Sequence, residues 1–229
     1  MTTILAVVTL TAGCGGDTGR GRTDIGLEIT GSSPTAIENI YGFEVIVEEA
    51  VLSVDAVEFF EGSPLFSRSW WPIVLVRSAH AHPGHYEPGE ALADVLGPFV
   101  IDLMDAPASV FGNGVTGDYR SAQIRLRPTP ELDGASVRIG GVARRDGLET
   151  RFVGQLVLDE TIEGIAAGFV VNESQVAISL NIDMQAWLSR IDFSQLMVDG
   201  SFTVDTQPYS ALLRGVRNTS AYRFEMEEE

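Results

Sequence analysis

Two adjacent segments constrain this chain more than any other feature. Phe43-Glu-Val-Ile-Val-Glu48 alternates apolar and polar residues, with Phe43, Val45 and Val47 on one side, and a run from Val51 to Phe60 rich in valine and phenylalanine follows directly. Period-two alternation places successive side chains on opposite faces of an extended strand, and β-branched and aromatic residues suit a pleated, half-buried surface. The same signature recurs at Asp24 to Thr30, Pro72 to Val76, Pro98 to Leu103, Ser121 to Arg127, Ala135 to Val142, Thr150 to Leu158, Gly168 to Val171 and Val176 to Ile182. Turn pairs such as Asp133-Gly134 and Asp146-Gly147 separate these runs, and such residues tolerate the left-handed backbone of a tight hairpin. The expected fold is therefore mainly β, an antiparallel β-sandwich with one or two short helices.

The helices fall late in the chain. Asp183-Met-Gln-Ala-Trp-Leu-Ser-Arg190 offers an N-cap aspartate, and Met184, Trp187, Leu188 and Ile191 recur at helical spacing. Thr206 to Arg217 carries a similar stripe through Tyr209, Leu212, Leu213 and Val216. Glu225 to Glu229 reads as a solvated acidic end.

The first fourteen residues run apolar from Ile4 to Leu10 and end in Ala12, Gly13 and Cys14. That stretch is too short to span a bilayer, which takes about 20 apolar residues. It resembles the lipobox of bacterial lipoproteins. The resemblance implies that residues 1–13 are a signal peptide, that Cys14 becomes the lipid-bearing first residue, and that the protein sits in the bacterial cell envelope, on the outer membrane. Cys14 is also the sole cysteine in the sequence, so no disulfide is expected to staple the exported domain. Gly15-Gly-Asp-Thr-Gly-Arg-Gly-Arg22 has nothing to bury and reads as a tether. The organisation expected is thus a signal peptide over 1–13, a lipid-anchored tether and first strand over 14–39, and a sandwich domain over 40–229.

Charge narrows the partners. The net charge is −17, and all 15 basic residues are arginines scattered along the chain. A polyanion would be repelled, which argues against nucleic acid, whereas cations would be attracted. Glu48, Glu49, Asp55 and Glu58 fall on or between strands and are expected to form a solvated face, because paired carboxylates do acid–base work only where burial or a neighbour separates their pKa values.

The pointed feature is a histidine cluster. All three histidines, His80, His82 and His85, lie within Ser78-Ala-His-Ala-His-Pro-Gly-His-Tyr-Glu87. Neutral imidazole is the commonest protein metal ligand, and on an extended backbone His80 and His82 share one side. Pro83-Gly84 can then turn His85 back toward them, with Glu87 or Tyr86 supplying an oxygen and Glu90 or Asp94 orienting a ring. Three nitrogens suit copper first and zinc second. The bland alternative is a polar loop with exposed histidines.

Two resemblances bear on this cluster. His80-Ala-His82 followed by Glu87 resembles the H-x-H-x4-E metal motif of cupins, although Val74 stands where that family has glycine and no histidine follows His85. The order of tether, strand pair, Trp70-Trp71, histidine loop, Gly117-Asp-Tyr-Arg-Ser-Ala-Gln-Ile-Arg125 and Asn181-Ile-Asp-Met-Gln-Ala-Trp-Leu188 resembles the MbnP-like periplasmic β-sandwich proteins. That second resemblance implies a copper role and draws attention to Trp70 and Trp71 beside the histidines. The leading expectation is a membrane-anchored lipoprotein binding a transition metal, with the metal ion and a protein of the cell envelope as its partners. A non-catalytic adhesion or scaffold domain ranks second and a cupin-like metalloenzyme third. No catalytic residue is assigned.

Overall fold

A computed structural model describes residues 19–32, 36–64, 86–105 and 107–227. Among the described residues the protein is mainly β, with 57% in strands and 13% helical. Eleven strands are found among the described residues: β1 (Arg22–Ser32), β2 (Ile37–Glu38), β3 (Glu44–Phe60), β4 (Ala91–Asp102), β5 (Ala108–Val115), β6 (Gly117–Leu126), β7 (Val137–Arg145), β8 (Leu148–Leu156), β9 (Glu160–Val171), β10 (Gln175–Asp183) and β11 (Tyr222–Met226). Two helices, α1 (Met184–Leu188) and α2 (Gln207–Val216), lie between β10 and β11.

The strands form one curled sheet in the order β11-β10-β1-β5-β4-β3-β6-β9, with β2, β7 and β8 off this path. The expectation of a wholly antiparallel sandwich is corrected here, because β1 runs parallel to β10 with Ile25 opposite Val176 and Leu27 opposite Ile178. A parallel neighbour needs a long crossover, and β1 and β10 are separated by most of the chain. On its other side β1 pairs antiparallel with β5. The two ends of the path, β9 and β11, lie against each other.

The strongest strand signal becomes the spine of the molecule. The two segments are one strand, β3, whose first half pairs β7 and whose second half pairs β6, with β4 along the opposite edge. Register shifts at Val47/Glu49 and Val54/Ala56 bend it, as an extra residue in one strand of a pair does. Alternation fails over Val51, Leu52, Ser53 and Val54 because all four are buried. Leu132 and Ala135 cover Val51 from the outside while Leu52 and Val54 join the main core.

The β7–β8 hairpin closes on Asp146 and Gly147, both at positive φ (54° and 77°), between the paired Arg145 and Leu148. This is the two-residue geometry that an Asp-Gly pair favours. Aromatic contacts then tie the hairpin to its surroundings: Phe152 sits 4.9 Å from Phe193, which meets Phe43 at 5.5 Å. The carboxylate face behaves as a solvated surface laced with arginines. Glu48 pairs with Arg151, Glu49 with Arg138, and Asp55 with Arg127. Pairs this exposed contribute little each, from nothing to about 1 kcal/mol.

Candidate functional site

Cys14, Trp70, Trp71, His80, His82 and His85 lie outside the described residues, as does the strand expected over Pro72 to Val76. Of the proposed metal-binding set, Tyr86 and Glu87 are described. They stand at the root from which the β3–β4 connection returns to the sheet.

That root is held rigidly. Beyond the last β3–β4 pair, Phe60 with Ala91, the Glu61 amide donates to the Glu90 carbonyl at 3.1 Å and the Gly62 amide to the Pro88 carbonyl at 2.7 Å. The backbones approach so closely at Gly62 that a Cβ there would collide with the carbonyls of Glu87 and Pro88. Ser121 of β6, fully buried, donates its hydroxyl to the Gly62 carbonyl at 2.6 Å. With that proton spent, the Tyr86 hydroxyl is the donor in its own 2.6 Å bond to Ser121 Oγ. Burial pushes the Tyr86 phenol up, and Glu163 adds to the effect. In this arrangement Tyr86 keeps its proton and acts as a peg that fixes the residues following His85. Glu87 is exposed beside it.

The N-terminal strap reaches the same place. Arg20 lies 3.2 Å from Glu61 and 3.3 Å from Glu90, bridging the two residues that flank the root. The Gly21 amide donates to Thr116 Oγ1, and the Thr116 amide donates back to the Gly21 carbonyl. Behind the strap, Tyr119 is wholly buried and its hydroxyl donates to the Val115 carbonyl at 2.9 Å. The Arg20, Glu61 and Glu90 clamp and the Ser121 hydroxyl were not foreseen from sequence. No local period marks an arginine that meets carboxylates about 40 and 70 residues away; only the sheet topology brings them together.

Tyr119 supplies a pH prediction. Burial, opposed by Arg20, raises its phenol to about 12, whereas an unfolded tyrosine ionises near 10. Between those values the unfolded chain holds fewer protons than the folded one, so the contribution is complete below about pH 10 and is lost as pH rises through about 12. Urea denaturation is expected to give a lower stability at about pH 11.5 than at about pH 9, and Tyr119→Phe is expected to shrink that drop by on the order of 2 kcal/mol, the remainder coming from the other raised phenols, Tyr222 above all. A drop in that variant as large as the wild type's would place the Tyr119 share elsewhere.

Among the described residues no three His, Cys, Asp or Glu side chains converge so as to hold a metal ion, and no helix is long and apolar enough to cross a membrane. Compared with known protein families, with curated proteins and with solved structures, the chain gives no match.

Proposed function

We propose that the protein is an exported lipoprotein, held on a membrane of the bacterial cell envelope by a lipid on Cys14, that binds one transition-metal ion through His80, His82 and His85. Copper is the first choice and zinc the alternative. The observation that carries the reading is compositional: every histidine of a chain of 229 residues falls within six positions. The surroundings support it. The segment's C-terminal root is pinned by Tyr86, Ser121 and Gly62, and a binding loop on a rigid scaffold spends less ordering entropy when its ligand arrives. The net charge of −17 favours cation capture. Glu87, exposed at the root, is available as an oxygen ligand, and Trp70 and Trp71 precede the cluster in sequence.

Metal content by mass spectrometry of protein purified without a histidine tag, followed by titration calorimetry with copper and zinc, tests this directly. Wild type is expected to bind about one equivalent, His82→Ala to weaken binding by at least about tenfold, and the triple alanine variant to lose stoichiometric binding. Binding should fade below about pH 6 as protons compete for the rings. The metal-free variants should unfold at the wild-type temperature. Equal, weak binding by wild type and the triple variant would leave a scaffold or adhesion domain, with an envelope protein as its partner, as the better reading.

A further inference from the structure

The topology gathers one set of features at a single end of the curled sheet. β3 arrives there at Phe60 and β4 leaves at Ala91, β6 begins at Gly117 opposite Val171 of β9, and β10 begins at Gln175 opposite Asp24 of β1. Arg20 and Gly21 are fastened to this end through Glu61, Glu90 and Thr116. The β7–β8 turn at Asp146-Gly147 lies at the other end, beside the start of β3, since Arg144 pairs with Glu44.

Chain length converts this into an orientation. The six residues from Cys14 to Arg20 span at most about 21 Å when fully extended. The 17 residues of β3 cover on the order of 50 Å at about 3.3 Å per residue. A lipid on Cys14 therefore keeps the Arg20 end near the bilayer, and the tether is too short for the Asp146-Gly147 end to swing down in its place. Among the described residues the rim is polar: Arg20 pairs with Glu61 and Glu90, Arg120 with Asp118, and Glu87 is exposed. These described residues suit the headgroup layer.

We propose that the end of the sheet formed by Arg20, Glu61, Glu90, Thr116 and the 172–174 turn faces the lipid surface, while the β7–β8 turn points away from it. This rests on the reading of Cys14 as lipid-bearing. It places Tyr86 and Glu87, where the β3–β4 connection returns to the sheet, on the membrane-facing side.

The test uses the lipid-modified full chain with either Glu173→Cys, exposed between β9 and β10, or Leu148→Cys, 75% exposed at the β7–β8 turn. With Cys14 acylated, the new thiol is the only free one and takes a donor dye. The protein is reconstituted into phosphatidylcholine vesicles carrying a headgroup-labelled acceptor lipid. Energy transfer from position 173 is expected to exceed that from position 148 by roughly twofold or more, because the two sites differ in height by tens of ångströms. Equal transfer with flotation intact overturns the orientation and leaves the anchor standing. If the wild type fails to float with vesicles and Cys14→Ser behaves identically, the anchor falls and the orientation falls with it.

Discussion

Trp187→Ala is expected to destabilise the domain by about 3–5 kcal/mol, the range for removing a fully buried tryptophan side chain. Trp187 has no exposed surface and heads the largest fully buried side chains. It sits on α1, which has five residues and too few internal hydrogen bonds to persist alone. Two things hold α1 in place. Asp183 caps it by accepting from the Gln185 amide at 2.9 Å, and its face packs on α2 so closely that a Cβ on Gly215 would stand 2.6 Å from the Trp187 Cα. Beneath them Tyr222 donates to the Val216 carbonyl at 2.6 Å, and burial pushes its phenol far above the ordinary tyrosine value. Removing the indole leaves a void that two backbones in contact cannot collapse to fill. Against a typical total of about 5–15 kcal/mol the loss is a large share. Urea denaturation followed by far-ultraviolet circular dichroism measures it, and a change below about 1 kcal/mol would show that the α1–α2 pair is dispensable.

Trp187 was also among the most readable residues of the sequence, and the reason is local. An aspartate followed by apolar residues at helical spacing carries its own instructions, as do the alternation in β3 and the Asp146-Gly147 turn. What escaped depends on distant partners. β5 contains Gly112 and Gly114, which weaken any strand signal, yet a Cβ on Gly112 would collide with the Asp94 carbonyl and one on Gly114 would stand 2.6 Å from the Tyr119 hydroxyl; glycine there permits close approach. β11 gives no strand signal ahead of the acidic end that starts at Glu225, yet Tyr222 and Phe224 are buried against β10 while Arg223 and Glu225 face outward. β9 was legible only at its end, Gly168 to Val171, although it begins at Glu160. The parallel pairing of β1 with β10 was hidden altogether, because alternation records which side is buried and not which way the neighbouring strand runs. The histidine cluster was legible because composition alone exposes it. The clamp that fixes its root was not, since Arg20, Glu61, Glu90 and Ser121 become neighbours only in the folded sheet.

The closing of that sheet gives the other large effect. No hydrogen-bonded ladder joins β9 to β11 among the described residues, so side chains hold the two ends of the path together. Phe59 of β3 sits between them, 6.0 Å from Phe169 of β9, 5.1 Å from Phe224 of β11 and 5.6 Å from Tyr119 of β6, with no exposed surface. A bidentate pair from Arg217, just past α2, to Glu160 at 2.7 and 2.6 Å ties the same seam from outside. The pair is part-exposed and adds little by itself, so the aromatic cluster carries most of the closure. Phe59→Ala is expected to cost about 3–5 kcal/mol, and Phe59→Leu, which keeps most of the volume, under about 1.5 kcal/mol. The two should also differ in where they loosen the molecule. In Phe59→Ala the amides of β11 and of the facing part of β9 should lose hydrogen-exchange protection before those of β7 and β8, which have their own aromatic cluster around Phe152 and Phe193. Equal loss of protection across all four strands would mean that closure does not depend on Phe59 and that the seam is held elsewhere.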